Sequence, residues 1–215
     1  MVLSLRDYAF AYCSSITNAS FPGCLEVGAG AFYHCSNLAD TYFPDCMNIG
    51  GAAFEYCTSL INASFPVCSF IREAAFRNCH NLTTGFFPNC FFISSYTFVN
   101  CYSLTNISLP NCITIGMSAF YSCYNLTTVF SPNCISISPY TFANCSNLTV
   151  ISLPKITSIS TNAFINCTSL TTVSFPGCRA IGSYAFSNCS SLTTVFFSVC
   201  SFIGNYAFYN CNILS

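Results

Sequence analysis

The chain has 215 residues, of which only 5% are charged, and its formal net charge is −1. Hydrophobic residues make up 53% of the chain, which excludes a disordered protein, because disorder needs little apolar content and much charge. No apolar run approaches the ~18 residues of a membrane span, and five Lys and Arg in total are too few to neutralise the phosphates of a nucleic-acid site. We therefore expect no nucleic-acid partner and no membrane insertion.

The sequence repeats itself every 22 residues. A phenylalanine preceded by Ala or Thr marks each unit: Phe10, Phe32, Phe54, Phe76, Phe98, Phe120, Phe142, Phe164, Phe186 and Phe208. The cysteines recur every 11 residues from Cys13 to Cys211, and Ile156 fills the one vacant position of that series. Because nothing is inserted or deleted, we predict a single repeat array over residues 1–215 without a linker.

Each unit contains one predicted short strand. Ile107 and Leu109 alternate with Asn106 and Ser108, which predicts two inward and two outward side chains. Pro110 ends the strand because proline has no N–H to donate to a ladder. Strands that recur every 22 residues in one direction predict a parallel sheet of nine strands.

The residues in the rest of each unit favour turns. Ile115-Gly116 favours a tight turn, because glycine is common at such corners. Ala119-Phe120 lies in a stretch too short for a regular helix, so we expect a 3₁₀ or single helical turn there.

Leu104, Ile107, Leu109 and Cys112 match the first anchors of the leucine-rich-repeat pattern L-x-x-L-x-L-x-x-N/C-x-L. The remainder, Pro-x-Cys-x-x-Ile-Gly-x-x-Ala-Phe-x-Asn-Cys-x-x-Leu, resembles the BspA-like (Treponema pallidum-type) repeats of bacterial surface proteins and parasitic protists. The resemblance covers essentially the whole chain, although this unit is one residue shorter than the family's usual one and carries less charge.

The resemblance implies an α/β-type repeat solenoid of about ten 22-residue coils. One parallel sheet of nine short strands would form the concave face, with turns, 3₁₀ or short helical pieces on the convex side. It also implies a non-enzymatic binding or adhesion surface, located at the cell surface or outside the cell. Many reduced cysteines would instead suit a cytoplasmic protein, so that alternative stays open.

The cysteines favour buried free thiols over a disulfide scaffold. Cysteine packs as a small hydrophobe, and Ile156 can replace a packed thiol but not half of a disulfide. Like cysteines of neighbouring coils would lie about 5 Å apart, so some disulfides remain possible in an oxidising compartment. No C-x₂-C pair exists and His34 and His80 stand alone, so we expect no zinc site.

Catalysis and cofactors are not expected. All six carboxylates lie in the first 80 residues, which leaves the second half without an acid–base pair. A dyad of Cys35 with His34, or of Cys79 with His80, is formally available, but these cysteines obey the repeat. We interpret His34 and His80 as surface residues at repeat positions where the residue type varies from unit to unit.

Nine N-x-S/T sequons occur, and most follow from the repeat composition. The alternative is a glycosylated eukaryotic surface protein. The nine sequon asparagines are Asn18, Asn62, Asn81, Asn106, Asn125, Asn144, Asn147, Asn166 and Asn188.

The outward positions of the predicted strands form the candidate ligand surface. It combines aromatic residues with uncharged polar ones, which suits contact with a protein or a glycan. The candidate residues are Tyr42, Phe86, Ser108, Phe130, Phe196, Asp40, Asn62 and Asn106. In the alternative interpretation, Phe86, Phe130 and Phe196 merely stack along the ladder.

The sequence suggests two further functions. The array begins and stops within a unit without a polar cap, which suggests a fragment of a longer protein or end-to-end self-association, and hence a structural spacer or filament. Pairs such as Thr83-Thr84 and Thr127-Thr128 suggest an ice-binding surface, but they miss too many units to form a continuous row.

Overall fold

The computed structural model describes residues 2–215 as a solenoid in which each coil carries two short parallel strands. The three-residue strands, called the broad strands, are β2 (Asn18–Ser20), β4 (Asp40–Tyr42), β6 (Asn62–Ser64), β8 (Thr84–Phe86), β10 (Asn106–Ser108), β12 (Thr128–Phe130), β14 (Val150–Ser152), β16 (Thr172–Ser174) and β18 (Thr194–Phe196). The two-residue strands, called the narrow strands, are β1 (Ser4–Leu5), β3 (Glu26–Val27), β5 (Asn48–Ile49), β7 (Phe70–Ile71), β9 (Phe92–Ile93), β11 (Thr114–Ile115), β13 (Ser136–Ile137), β15 (Ser158–Ile159), β17 (Ala180–Ile181) and β19 (Phe202–Ile203).

The strands pair only with their counterparts in adjacent coils. The narrow strands form one continuous ten-stranded parallel sheet, and the broad strands pair as β2-β4, β6-β8-β10-β12-β14 and β16-β18. Paired residues occupy equivalent positions one repeat apart, as Asn106 does with Thr84 and Thr128. Nine parallel broad strands confirm the prediction, but their sheet is interrupted at two places. The narrow sheet replaces the predicted turn at Ile115 and was not anticipated.

The core is a stack of phenylalanine rings surrounded by thiols and aliphatic side chains. The repeat-marking rings lie parallel in adjacent coils: Phe98 and Phe120 have centroids 5.2 Å apart, and Phe120 and Phe142 have centroids 5.3 Å apart. Ile107 and Leu109 point inward from the broad strand, as predicted, and are 2% and 0% exposed. Each coil therefore buries its apolar residues only against its two neighbours.

The stretch around each core phenylalanine forms turns, and no helix occurs in residues 2–215. Residues two before and two after the phenylalanine have left-handed backbone, as at Tyr96 and Asn100, both with φ 60°. Isolated i→i+3 hydrogen bonds occur, as from Val99 N–H to Tyr96 O at 3.3 Å. A left-handed residue cannot continue a right-handed helix, however, so two of them four residues apart prevent a 3₁₀ or α-helix. The predicted 3₁₀ or helical pieces are therefore wrong.

The recurring asparagine before a cysteine occupies one of these left-handed positions. Asparagine tolerates this backbone better than most residues. Its side chain also bonds the neighbouring coil: Asn166 Nδ2 donates to Asn144 Oδ1 at 2.7 Å, and Asn188 Nδ2 donates to Asn166 Oδ1 at 2.8 Å. This column thus forms an amide ladder along the outside of the coils.

Gly116 allows two coils to approach closely. A Cβ at this position would lie 2.6 Å from the Ser95 nitrogen of the preceding coil, while its own φ is not left-handed. The Gly116 N–H donates to Ile93 O at 2.8 Å, whereas Ser94, in the same column, reaches Ile71 O only at 3.3 Å. The glycine at this position is therefore explained by close inter-coil contact rather than by left-handed backbone.

All 18 cysteines are free, and every thiol except that of the exposed Cys13 acts as a hydrogen-bond donor within residues 2–215. In the column after the broad strand, Cys112 Sγ donates to Thr114 O at 3.2 Å. In the other column, Cys101 Sγ donates to Phe76 O of the preceding coil at 3.2 Å. The second contact joins adjacent coils, so the thiols both fill the core and satisfy buried carbonyls.

We expect the thiols to differ sharply in accessibility. Cys13 is exposed, Cys200 and Cys211 are partly buried, and the other 15 are buried. A thiol reagent should label these three rapidly in the native protein and all 18 in denaturant, as measured by intact-mass spectrometry. A denatured count well below 18 without reductant would contradict the free-thiol core.

We also expect the protein to unfold at alkaline pH. Burial raises the pKa of the Cys46 thiol to about 12 and that of Cys90 and Cys134 to about 11, whereas an unfolded thiol ionises near pH ~8.5. Between these values only the unfolded state loses its proton, so the free energy of unfolding falls by about 1.4 kcal/mol per pH unit for each buried thiol.

At about pH 10, the summed loss from about five such thiols reaches the ~5–15 kcal/mol free energy of unfolding of a typical domain. Urea unfolding followed by circular dichroism in reductant should show constant stability below pH ~8 and a steep decrease above pH ~9. Stability that stays unchanged to pH ~11 would refute this expectation.

Two phenylalanines near each other in the chain test which rings hold the fold. Phe120 is fully buried between two stacked rings, so Phe120→Ala should lower the free energy of unfolding by about 3–5 kcal/mol. Phe130 is 47% exposed, so Phe130→Ala should cost less than about 1 kcal/mol. Denaturant titrations measure both, and equal losses would mean that Phe130 belongs to the core.

Candidate functional site

The outward side chains of the broad strands form one face, called the broad face. Because strand residues alternate sides, the inward Gly85 and Val129 leave their neighbours Phe86 and Phe130 pointing out. Tyr42, Phe86, Phe130 and Phe196 are 58%, 53%, 47% and 55% exposed. The four predicted aromatic residues therefore lie on the surface.

Serines separate the aromatic residues along this face. Phe86 pairs with Ser64 on one side and Ser108 on the other, and Phe130 pairs with Ser108 and Ser152. Within residues 2–215, neither phenylalanine makes a ring–ring contact, whereas the core rings stack in every coil. The rings of the broad face thus stand apart from one another instead of stacking along the ladder.

The polar candidates lie on the same face and are exposed. Thr84 Oγ1 donates to Asn62 Oδ1 at 2.7 Å, and Asn106 Nδ2 donates to Thr105 Oγ1 at 3.2 Å. The Ser108 hydroxyl is exposed and makes no side-chain hydrogen bond within residues 2–215. These groups leave amide and hydroxyl donors and acceptors free toward solvent.

Asp40 is the single charged residue at an outward position of the broad strands. The other charges lie elsewhere, and the ion pair of Arg77 with the buried Glu55 is located beside the core turns. The broad face between β6 and β18 therefore presents aromatic, hydroxyl and amide groups without charge.

The narrow sheet exposes a second, apolar surface that the sequence analysis missed. Exposed apolar residues stand one or two places after a cysteine in several coils: Leu25, Met47, Phe70, Phe91, Phe92, Ile113, Ile135 and Phe202. Phe70 and Phe92 stack with centroids 6.2 Å apart, next to an open depression of about 560 Å³ lined by Arg72 and Glu73. The regular spacing of these residues after the cysteines is visible in the sequence, although the same stretch also fits the predicted turn.

The two histidines stack on tyrosines. His34 lies between Tyr12 and Tyr56, with ring centroids 5.2 and 4.2 Å away, and His80 stacks on Tyr102 at 4.7 Å. Partial burial, followed by the Glu55 carboxylate, raises the pKa of Tyr33 beside this cluster. Both histidines are half-buried rather than fully exposed.

Neither a metal cluster nor a membrane-spanning helix is found in the described part of the chain. Residues 2–215 bring together no group of three or more His, Cys, Asp or Glu side chains able to hold a metal ion. Across the same residues, no helix is long and apolar enough to cross a membrane.

Several solved structures are similar to this chain. A leucine-rich repeat protein from Bacteroides ovatus is 23% identical over 99% of this chain and 69% of that one, with a TM-score of 0.72. A leucine rich cell surface protein from Faecalibacterium prausnitzii has the same identity and coverage with a TM-score of 0.67. A T. pallidum leucine-rich repeat protein is 25% identical over 68% of this chain and 72% of that one, with a TM-score of 0.62.

These structural similarities support the leucine-rich-repeat fold. No curated protein matches the sequence significantly. The family model described as the BspA type leucine rich repeat region matches residues 2–96 and 91–215, in six copies. Because these matches cover almost the whole chain, the protein belongs to the BspA-type leucine-rich repeat family.

Proposed function

We propose that the chain is a non-enzymatic binding module that presents the broad face to a protein or glycan ligand. The observation that carries this proposal is the set of separate aromatic rings, about half exposed, on a face of neutral polar groups. Aromatic side chains supply much of the binding energy of interfaces because they bury large area at small entropy cost. Family membership supports the same general role.

The proposed location is the cell surface. The F. prausnitzii relative is described as a cell surface protein, and the resemblance to bacterial surface repeats points the same way. An adhesion role follows from this location, with the broad face as the contact surface.

The lack of charge gives the proposed binding a physical signature. Ion pairs weaken as salt rises, because mobile ions screen charges beyond about 10 Å at ~0.1 M. Only Asp40 is charged among the outward broad-strand positions, so affinity for the ligand should change little with ionic strength.

The proposal is tested with a triple variant, Tyr42→Ala, Phe86→Ala and Phe130→Ala. Wild type and variant are titrated against immobilised serum proteins and polysaccharides, at low and high salt. Any probe that binds the wild type should bind the variant at least about tenfold more weakly. Thermal unfolding of the variant should remain close to that of the wild type, because all three side chains are exposed.

The matched control is the double variant Phe70→Ala and Phe92→Ala, which removes two exposed rings from the narrow sheet. It should bind as the wild type does. Binding lost in the control but kept in the triple variant would place the ligand on the narrow sheet and refute the proposal. Absence of binding to every probe would also count against it.

Self-association and a spacer role are the alternative proposal. Sizing of the protein at several concentrations separates the two proposals, since a concentration-dependent increase in mass favours self-association. A monomer that binds no probe would favour the spacer.

A further inference from the structure

The broad face repeats every two coils, whereas the core repeats every coil. From β4 to β14, aromatic strands alternate with strands that end in serine: Tyr42, Ser64, Phe86, Ser108, Phe130 and Ser152. The two intervals between the three rings are chemically identical. Each interval contains one exposed asparagine and one exposed serine, Asn62 with Ser64 and Asn106 with Ser108.

The distance between successive rings follows from the coil stacking. Adjacent parallel strands lie about 4.8 Å apart, so Phe86 and Phe130, on every second strand of the continuous β6–β14 sheet, recur at about 10 Å along the solenoid. Tyr42 extends this row across the junction of β4 and β6, where the strands are in contact but not paired. In the core, ring centroids one coil apart are separated by 5.2 Å for Phe98 and Phe120 and by 5.9 Å for Phe65 and Phe87, so the advance per coil differs between the two phenylalanine columns. A ligand that contacts all three rings must therefore repeat at this length.

An extended β-1,4-linked glycan has this repeat. Each sugar in such a chain is turned by half a rotation relative to its neighbour, so the same face recurs every second sugar. Two sugar residues span about the same length as two strand spacings, roughly 10 Å. An α-1,4-linked glycan of the same sugars coils instead and cannot keep the register over three rings.

The groups of the face also match this ligand chemically. The flat apolar face of a β-linked pyranose ring packs against an aromatic ring, while its hydroxyl groups project sideways. The hydroxyl groups of Ser64 and Ser108 lie between the rings, and the amides of Asn62 and Asn106 lie in the adjacent outward row with Thr84, where the sideways-projecting hydroxyls need partners. The row carries one charge, that of Asp40 on the same strand as Tyr42, and none between β6 and β14, so it offers no set of counter-charges to a charged ligand and is complementary to an uncharged glycan.

We propose that Tyr42, Phe86 and Phe130 bind one extended, neutral β-1,4-linked glycan chain that runs along the solenoid axis, across the broad strands. The rings stack on every second sugar, and the two asparagine–serine intervals hydrogen-bond the sugars between them. This inference rests on the proposed binding function and names its ligand class. Phe196 lies three strands beyond Phe130, so it is out of register with the row.

A polyproline II peptide is the competing occupant, since its three-residue turn is about 9.3 Å long. Such peptides insert their prolines into apolar slots between aromatic side chains. The intervals here contain asparagine and serine instead of apolar slots, which favours the hydroxyl-rich glycan.

The test measures binding of defined oligosaccharides to the folded wild-type chain by isothermal titration calorimetry. The probes are cellohexaose and the hexamer of β-1,4-linked N-acetylglucosamine, with the trimers of both sugars, maltohexaose and a proline nonamer as comparisons. At least one β-1,4 hexamer should bind, and the corresponding trimer should bind at least about tenfold more weakly because it reaches fewer rings. Maltohexaose and the proline nonamer should not bind measurably.

A swap variant isolates the spacing from the aromatic content. The double variant Phe86→Ser and Ser108→Phe exchanges two exposed residues at paired strand positions. It keeps three aromatic rings on the face but breaks the two-coil period. The swap should weaken hexamer binding about as much as Phe86→Ser alone, by about tenfold or more. Binding that survives the swap would show that general aromatic content, not spacing, holds the ligand, and would overturn the inference.

The remaining outcomes separate this inference from the binding function on which it rests. If neither hexamer binds at millimolar concentration while a serum protein binds and is lost in the triple alanine variant, the glycan inference fails and the binding module stands. Binding of the proline nonamer in place of the hexamers overturns the inference in favour of a peptide ligand. If hexamer binding is unchanged in the triple variant, both the inference and the proposed role of the broad face fail.

Discussion

The fold depends on backbone hydrogen bonds between residues one repeat apart. In the narrow sheet the bonds run backward, as from Ile113 N–H to Phe91 O at 2.9 Å, and around the core phenylalanine they run forward, as from Phe98 N–H to Ala119 O at 2.7 Å. A coil with one extra residue would lose its partners on both sides at once. This requirement explains why almost ten units keep the same length without one insertion.

The same constraint explains the unusual composition. A carbonyl beside the core phenylalanine accepts two bonds: Phe76 O receives the Cys79 N–H and the Cys101 Sγ of the next coil, both at 3.2 Å. The donor must be small, apolar enough for the core and able to donate one hydrogen, and a thiol meets all three conditions. Charged groups are therefore not needed to satisfy these carbonyls. At Ile156, which is fully buried, the side chain fills the core without donating the hydrogen bond that a thiol would make.

The sequence predicted the features that repeat through hydrophobic alternation and spacing. The broad strands, the inward Ile107 and Leu109, the buried thiols and the exposed Tyr42 and Phe86 all followed from the two periods. The narrow sheet could not be predicted in this way, because two residues are too few to show alternation.

Backbone conformation was the other feature outside the reach of the sequence. Tyr96 and Ala74 have left-handed backbone, although neither residue type signals it as glycine does. The requirement comes from the coil, whose chain must turn around the phenylalanine while keeping its N–H groups directed at the next coil. Inter-coil bonding thus overrides local preference, and it removed the helical turn that the short stretch had suggested.

The two-coil pattern of the broad face is informative because the fold does not require it. Every coil stacks the same phenylalanine on its neighbours, so packing selects a period of 22 residues, although the inward broad-strand position varies, as in Ala63, Gly85 and Ile107. Outward side chains are free of that demand, yet Tyr42, Phe86 and Phe130 alternate with serine over a period twice as long. A surface period longer than the core period is expected where the surface binds a ligand with a repeat of its own. The residues selected for binding then differ from those selected for folding.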